Sequence, residues 1–179
     1  MTKLLLMPVL MATACLVSGL FGALHNQISY TVSLEYFTHF KFRQFSIHPE
    51  IPERLGAALV GWYAAWWMGI VIGVVLIPIG LIIPSARNYF RTMLRAFAVV
   101  AGTTLTVGLS ALTIATLAGS SDLGTSWTGQ DDEVARAFQR AGTMHNFSYL
   151  GGLAGVLTGI LTILVERGRL REAPQDHPD

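Results

Sequence analysis

Charge is what this 179-residue sequence has least of. Asp, Glu, Lys and Arg together make up 13%, about half the roughly 25% of an ordinary soluble domain. Cysteine is nearly absent: Cys15 stands alone, which excludes an internal disulfide, a CxxC redox pair and a thiolate metal cluster. Neither sign of charge dominates, and a formal net charge of +1 leaves no basic footprint for nucleic acid. GxSxG, a phosphate-cradling glycine loop and HExxH are all missing, so the common hydrolase and nucleotide signatures are excluded. What the chain does have is apolar mass. Hydrophobic residues make up 52%, with 18 Gly besides, and the mean hydropathy is +0.51. Disordered and disulfide-scaffold classes are thereby excluded, and a membrane protein is indicated.

The scarce charges are not spread evenly. Residues 4–24, 55–83, 96–119 and 141–165 contain none. At about 21, 29, 24 and 25 residues, each can cross a hydrocarbon core of roughly 30 Å as a helix. The remaining 80 or so residues hold all 12 basic and all 11 acidic side chains. The sequence therefore predicts an all-α integral membrane protein, a four-transmembrane-helix bundle forming one domain over residues 1–172. Outer loops are expected at 25–54 and 120–140, and a disordered Pro-rich tail at 173–179. Lys3 before an apolar run has the outline of a signal peptide, but cleavage after Ala23 would set Phe21 at the −3 position. The first stretch is read as a retained helix.

Orientation follows from the basic residues. Arg87, Arg91 and Arg95 lie in the short second loop, and Arg167, Arg169 and Arg171 follow the last span. Asp122, Asp131, Asp132 and Glu133 weight the third loop with acid. The positive-inside rule then puts both termini in the cytoplasm and the first and third loops outside, as in a bacterial inner-membrane protein.

The first outer loop is expected to be structured. From Ile28 to Phe45 apolar residues fall mostly on even positions, a strand-like period of two. Against this, Ser33 with Glu35 can open a short helix. The spacing leaves both open, with a lean toward extended chain through Val32 followed by a short aromatic-rich helix on the membrane surface. Pro52 and Glu53 read as the first turn of the second span.

Small residues mark where membrane helices approach closely. The first helix carries Cys15, Ser18, Gly22 and His25 on one face. The fourth carries His145, Ser148, Gly152, Gly155, Gly159 and Thr162, with a second run at Gly151, Gly155 and Gly159. These faces serve helix packing, and a homo-oligomer through the glycine-rich faces is a further expectation. His25 and His145 crown two of the stripes at the same outer rim. Each precedes Asn and runs on to Ser-Tyr: His25-Asn26-Gln27-Ile28-Ser29-Tyr30 and His145-Asn146-Phe147-Ser148-Tyr149. Two imidazoles at one depth can join two helices through a transition metal, Zn, Cu or Fe. Glu35 and His39 from the loop above would add ligands if that loop is helical, and Asn26, Asn146, Tyr30 or Tyr149 would orient the set. Such a metal site is the leading expectation, with or without enzymatic chemistry. The alternatives are a haem b protein with His25 and His145 as axial ligands, and a non-enzymatic scaffold or assembly partner. His48 before Pro49 reads as solvated, and no charge lies within a span to couple transport.

The stretch Leu24-His25-Asn26-Gln27-Ile28-Ser29-Tyr30-Thr31-Val32-Ser33, with Glu35-Tyr36-Phe37-Thr38, resembles a group of uncharacterised bacterial four-span membrane proteins. Tyr63-Ala64-Ala65-Trp66-Trp67-Met68-Gly69 and His145-Asn146-Phe147-Ser148-Tyr149-Leu150-Gly151-Gly152 are similar to the same group. The resemblance touches about a quarter of the chain and implies four spans but no activity. The chain departs from the group's pattern at His39, where Lys is expected, and at Leu34, where Pro is expected. The first departure weakens His39 as a ligand, and the second favours Ser33 as a helix start.

Overall fold

The computed structural model describes residues 2–118 and 132–172, and every described element is helical. Helix α1 spans Lys3–Val32, a π-helix Tyr36–Lys41 leads into the single turn α2 at Phe42–Gln44, and α3 covers Glu53–Ala65. Helices α4 (Met68–Gly80), α5 (Ala86–Leu117) and α6 (Asp132–Glu172) complete the chain. Three of these, α1, α5 and α6, are each long and apolar enough to cross a membrane. Together α3 and α4 meet the same test as one segment bent by 43°. The chain is thus a helical protein of multi-pass membrane type. The third-loop residues 120–131, with Asp131, and the tail, with His177, lie outside the described residues.

Three expected boundaries move, each for a physical reason. Residues through Val32 are helical rather than extended. The hydroxyls of Ser29 and Thr31, which gave the strand-like alternation, turn back onto the carbonyls of His25 and Gln27. The second-loop arginines are helical too, because α5 already begins at Ala86, where Ser85 Oγ accepts from the Asn88 amide at 3.3 Å. Charge marks where lipid ends, not where a helix ends. The stretch 55–83, expected as one continuous helix, is broken between α3 and α4, with i→i+3 bonds from Gly69 to Trp66 and from Ile70 to Trp67 in place of the α pattern. The start of α3 at Glu53 stands as expected, as does that of α6 at Asp132, where the acidic run Asp131-Asp132-Glu133 reads in the sequence as a helix N-terminus several turns before the apolar stretch.

Close approach between α1 and α3 is made by Gly22 and Gly61: a Cβ on either would strike the other's backbone. Farther in, Gly69 rests on the backbone of Cys15. The Gly151, Gly155, Gly159 run is used within the chain, the first two against Thr104 and Val100 of α5 and the third against Leu76 and Val100. One end of the bundle gathers Lys3, whose ammonium donates to the carbonyls of Leu81 and Ile83, and the Arg95–Glu166 pair at 2.8 Å. Its core is Leu10, Leu76, Ile77, Met93, Phe97 and Ile163. The opposite end holds a second core around Tyr36, Phe37, Ala57, Val60 and Ala141. Both histidines sit at that second end.

Candidate functional site: a histidine pair at the end of a buried cleft

His25 and His145 meet. Their ring centres are 5.0 Å apart, edge to face, with His25 only 4% exposed. Each imidazole bonds to a serine on the other's helix. His25 Nε2 is 2.9 Å from Ser148 Oγ, and His145 Nε2 is 3.1 Å from Ser29 Oγ. The two His…Ser echoes of the sequence are the two halves of one reciprocal clasp. Ser148 Oγ also donates to the Met144 carbonyl at 2.8 Å, and Ser29 Oγ to that of His25 at 3.5 Å. With their hydrogens so used, both hydroxyl oxygens accept, which favours the tautomer with Nε2 protonated and the lone pair on Nδ1.

The clasp depends on a residue the sequence reading passed over. Gly108 of α5 faces it, and a Cβ there would run into Ser148 Oγ and lie 3.6 Å from His25 Nε2. Two of the four expected orienting residues also tie α1 to α3. Asn26 donates to the Ala57 carbonyl at 3.0 Å, fixing α1 to α3, and Tyr30 donates to Glu53.

Of the four expected metal ligands, the fold brings two together. Glu35 Oε2 accepts from Ser33 Oγ at 3.3 Å, while Ser33 caps the Tyr36 amide at 3.1 Å. Ser33 is therefore the helix start, and Glu35 serves it. His39 is exposed on the π-helix, and His48 is exposed beside Glu50. Among the described residues no group of three or more His, Cys, Asp and Glu is placed to hold a metal.

What covers the pair is aromatic. Tyr36 stacks on His145 at 5.2 Å and meets Phe138 at 5.0 Å. Lys41, at the end of the π-helix, lays its ammonium 4.6 Å from the centre of the Phe40 ring and 5.5 Å from that of Tyr36, donating to Gln44 Oε1 at 3.0 Å. Burial draws the Lys41 pKa below its ordinary value and pushes that of the Tyr36 phenol up.

Beneath this cover runs a cavity of about 150 Å³. His25, Asn26, His145, Ser148, Lys41 and Gln44 line its polar end; elsewhere its walls are almost wholly apolar, from Ala14 and Ile72 to Val100. Gly152 shows how empty it is: the residue is buried, yet a Cβ added to it would meet no atom within 4 Å. An apolar void with a few converging polar groups is the usual form of a small-molecule site. The chain matches no protein-family model, no curated protein and no solved structure.

Proposed function

We propose that the protein binds the apolar part of an amphiphile in this cleft, with the His25–Ser148 and Ser29–His145 clasp as its polar anchor. One observation carries the reading: polar groups converge at one end of an otherwise apolar cavity, beside a buried glycine that faces empty space. A volume of about 150 Å³ equals that of an apolar cavity able to take benzene, and is less than a drug-sized pocket of roughly 300–1,000 Å³. A chain segment or a single ring fits it. The setting we propose is a bacterial cytoplasmic membrane, with α3 and α4 together as one of four spans and both termini inside. The arginines at the Lys3 end of the bundle support that orientation.

Gly152→Leu tests the reading, because its Cβ meets no atom within 4 Å and its side chain would extend into the void. Native mass spectrometry of protein released from nanodiscs should show a retained amphiphile in the wild type and little in the variant. Equal retention in a folded variant refutes the proposal.

A transition metal on the histidine pair is the second reading, favoured by one distance. With bonds of about 2.0 Å and near-tetrahedral angles, two imidazoles on one ion have centres about 5 Å apart, close to the 5.0 Å found. Element analysis decides it: metal retained by wild type and lost in a His25→Ala, His145→Ala double variant supports the site, and none in wild type sinks it. Haem fits less well, since a porphyrin lies between its two axial rings, whereas these rings touch edge to face.

A further inference from the structure

The break between α3 and α4 makes the cleft accessible from the side. Helix α4 packs chiefly on α1 but also reaches α5 and α6, whereas α3 packs on α1 and, to a small extent, on the segment Tyr36–Gln44. Beyond the 43° bend, the wall between α3 and the α5–α6 pair is left to small side chains: Ala64 and Ala65 on one flank, Ala101 and Gly152 on the other. Larger liners, Met68, Phe97 and Tyr149, bound this stretch of small side chains.

Depth places the polar end of this opening. Helix α1 rises about 1.5 Å per residue, so His25 stands about 33 Å along the axis from Lys3, one hydrocarbon thickness away. Lys41 covers His145 from beyond that boundary, at headgroup level. Its ammonium is half-buried, faces two aromatic rings and bonds to a neutral amide. No carboxylate lies within ion-pair distance of it among the described residues. The acids of the same region are used elsewhere, Glu35 on Ser33 and Glu53 on Tyr30. A partly desolvated cation at the mouth of an apolar cleft calls for an anion joined to a chain.

We infer that the occupant is an anionic glycerophospholipid of the surrounding leaflet, one acyl chain passing between α3 and α6 into the cleft and its phosphate held at Lys41. The inference rests on the amphiphile-binding reading and adds the head group and the direction of access. A segment of one chain is all the volume admits, and the lateral gap lets the rest of that chain and the second one remain in the bilayer. A phospholipid is favoured over a free fatty acid because the gap opens onto the bilayer, where phospholipid is the solvent.

The test uses full-length protein in nanodiscs of mixed phosphatidylglycerol and phosphatidylcholine, with the retained lipid identified by native mass spectrometry. Both lipids carry the phosphate, but choline's own ammonium neutralises it and repels Lys41, so wild type should enrich phosphatidylglycerol over the bulk ratio by roughly tenfold, the scale of one charge-assisted contact. Lys41→Gln should return the bound lipid to the bulk ratio while total occupancy persists, and Lys41→Arg should keep the enrichment. Gly152→Leu should lose both lipids. Absence of enrichment, or enrichment unchanged in Lys41→Gln, overturns the anionic assignment while leaving the cleft reading intact. Occupancy unchanged in Gly152→Leu overturns the cleft reading itself. Added oleate that displaces the phospholipid at equal concentration makes the occupant a fatty acid and refutes the inference.

Discussion

Replacing Gly108 by alanine adds one methyl group at the most constrained point of the clasp. The new Cβ would collide with Ser148 Oγ, so that hydroxyl must rotate away and His25 Nε2 loses its partner. A buried donor left unpaired costs about 1–3 kcal/mol. Against this, alanine is the better helix former by about 0.8–1.0 kcal/mol. The expected net loss is therefore about 0–2 kcal/mol. Gly102 on the same helix supplies the control, because a Cβ there meets nothing within 4 Å. Gly102→Ala should be neutral or slightly stabilising. Thermal unfolding in one detergent would separate the two, at about 2–4 °C per kcal/mol for a chain of this length. The decisive measurement is the double-mutant cycle. With Ser148→Ala already made, nothing remains for the new methyl to strike, and the other neighbours of that position lie at ordinary contact, 3.5 Å and 3.6 Å. Gly108→Ala should then change sign and stabilise. A Gly108→Ala effect that is the same in both backgrounds would refute the account of the clasp.

Gly61→Ala should cost about 1–3 kcal/mol by overpacking, seen as loss of folded protein on size exclusion, since the Gly22 backbone it meets cannot rotate aside. Lys3→Met should lower the unfolding temperature, because the carbonyls of Leu81 and Ile83 just beyond α4 lose their ammonium donor, with Lys3→Arg restoring part of it; no change would remove Lys3 from the packing of that end. Ser33→Ala should cost about 0.5–2 kcal/mol through loss of the cap on the Tyr36 amide and loosen the cover over His145, read as faster amide exchange across residues 36–41. Arg95→Ala should cost no more than about 1 kcal/mol, because the arginine is 60% exposed and its pair is screened. Added salt should shrink that difference further.

Much of the fold was legible because lipid enforces a simple rule, that charge stays out. That rule located the apolar segments, and the paired His…Ser motifs located the site. What it could not give was continuity. Helix α5 carries Arg87–Arg95 on turns that the charge pattern assigns to a loop, since a helix ends where its backbone bonds end. Nor could spacing say that Ser29 serves His145 while Ser148 serves His25, because that exchange depends on how two helices cross. Glu35 was the natural third ligand by composition, yet the same residue suits a helix start, and the local hydrogen bond to Ser33 prevails. Gly108 left no signal of its own: it became visible only when α5 was laid against the pair.

The π-helix over the site has a consequence for how this segment can vary. Its bonds run from residue i to i+5, as Phe42 N–H to the Phe37 carbonyl shows, and Lys41 therefore returns over Tyr36, five positions earlier. In an α-helix residues five apart point about 140° away from each other. Rewinding the segment as an α-helix of unchanged length would therefore swing the ammonium off the mouth of the cleft, with no change in composition. Deleting a single residue such as Thr38 along with the rewinding would instead make Lys41 the fourth residue after Tyr36, about 40° away, and return it to the same face. The extra residue and the wide winding thus compensate each other, and either one alone loses the cover over the site.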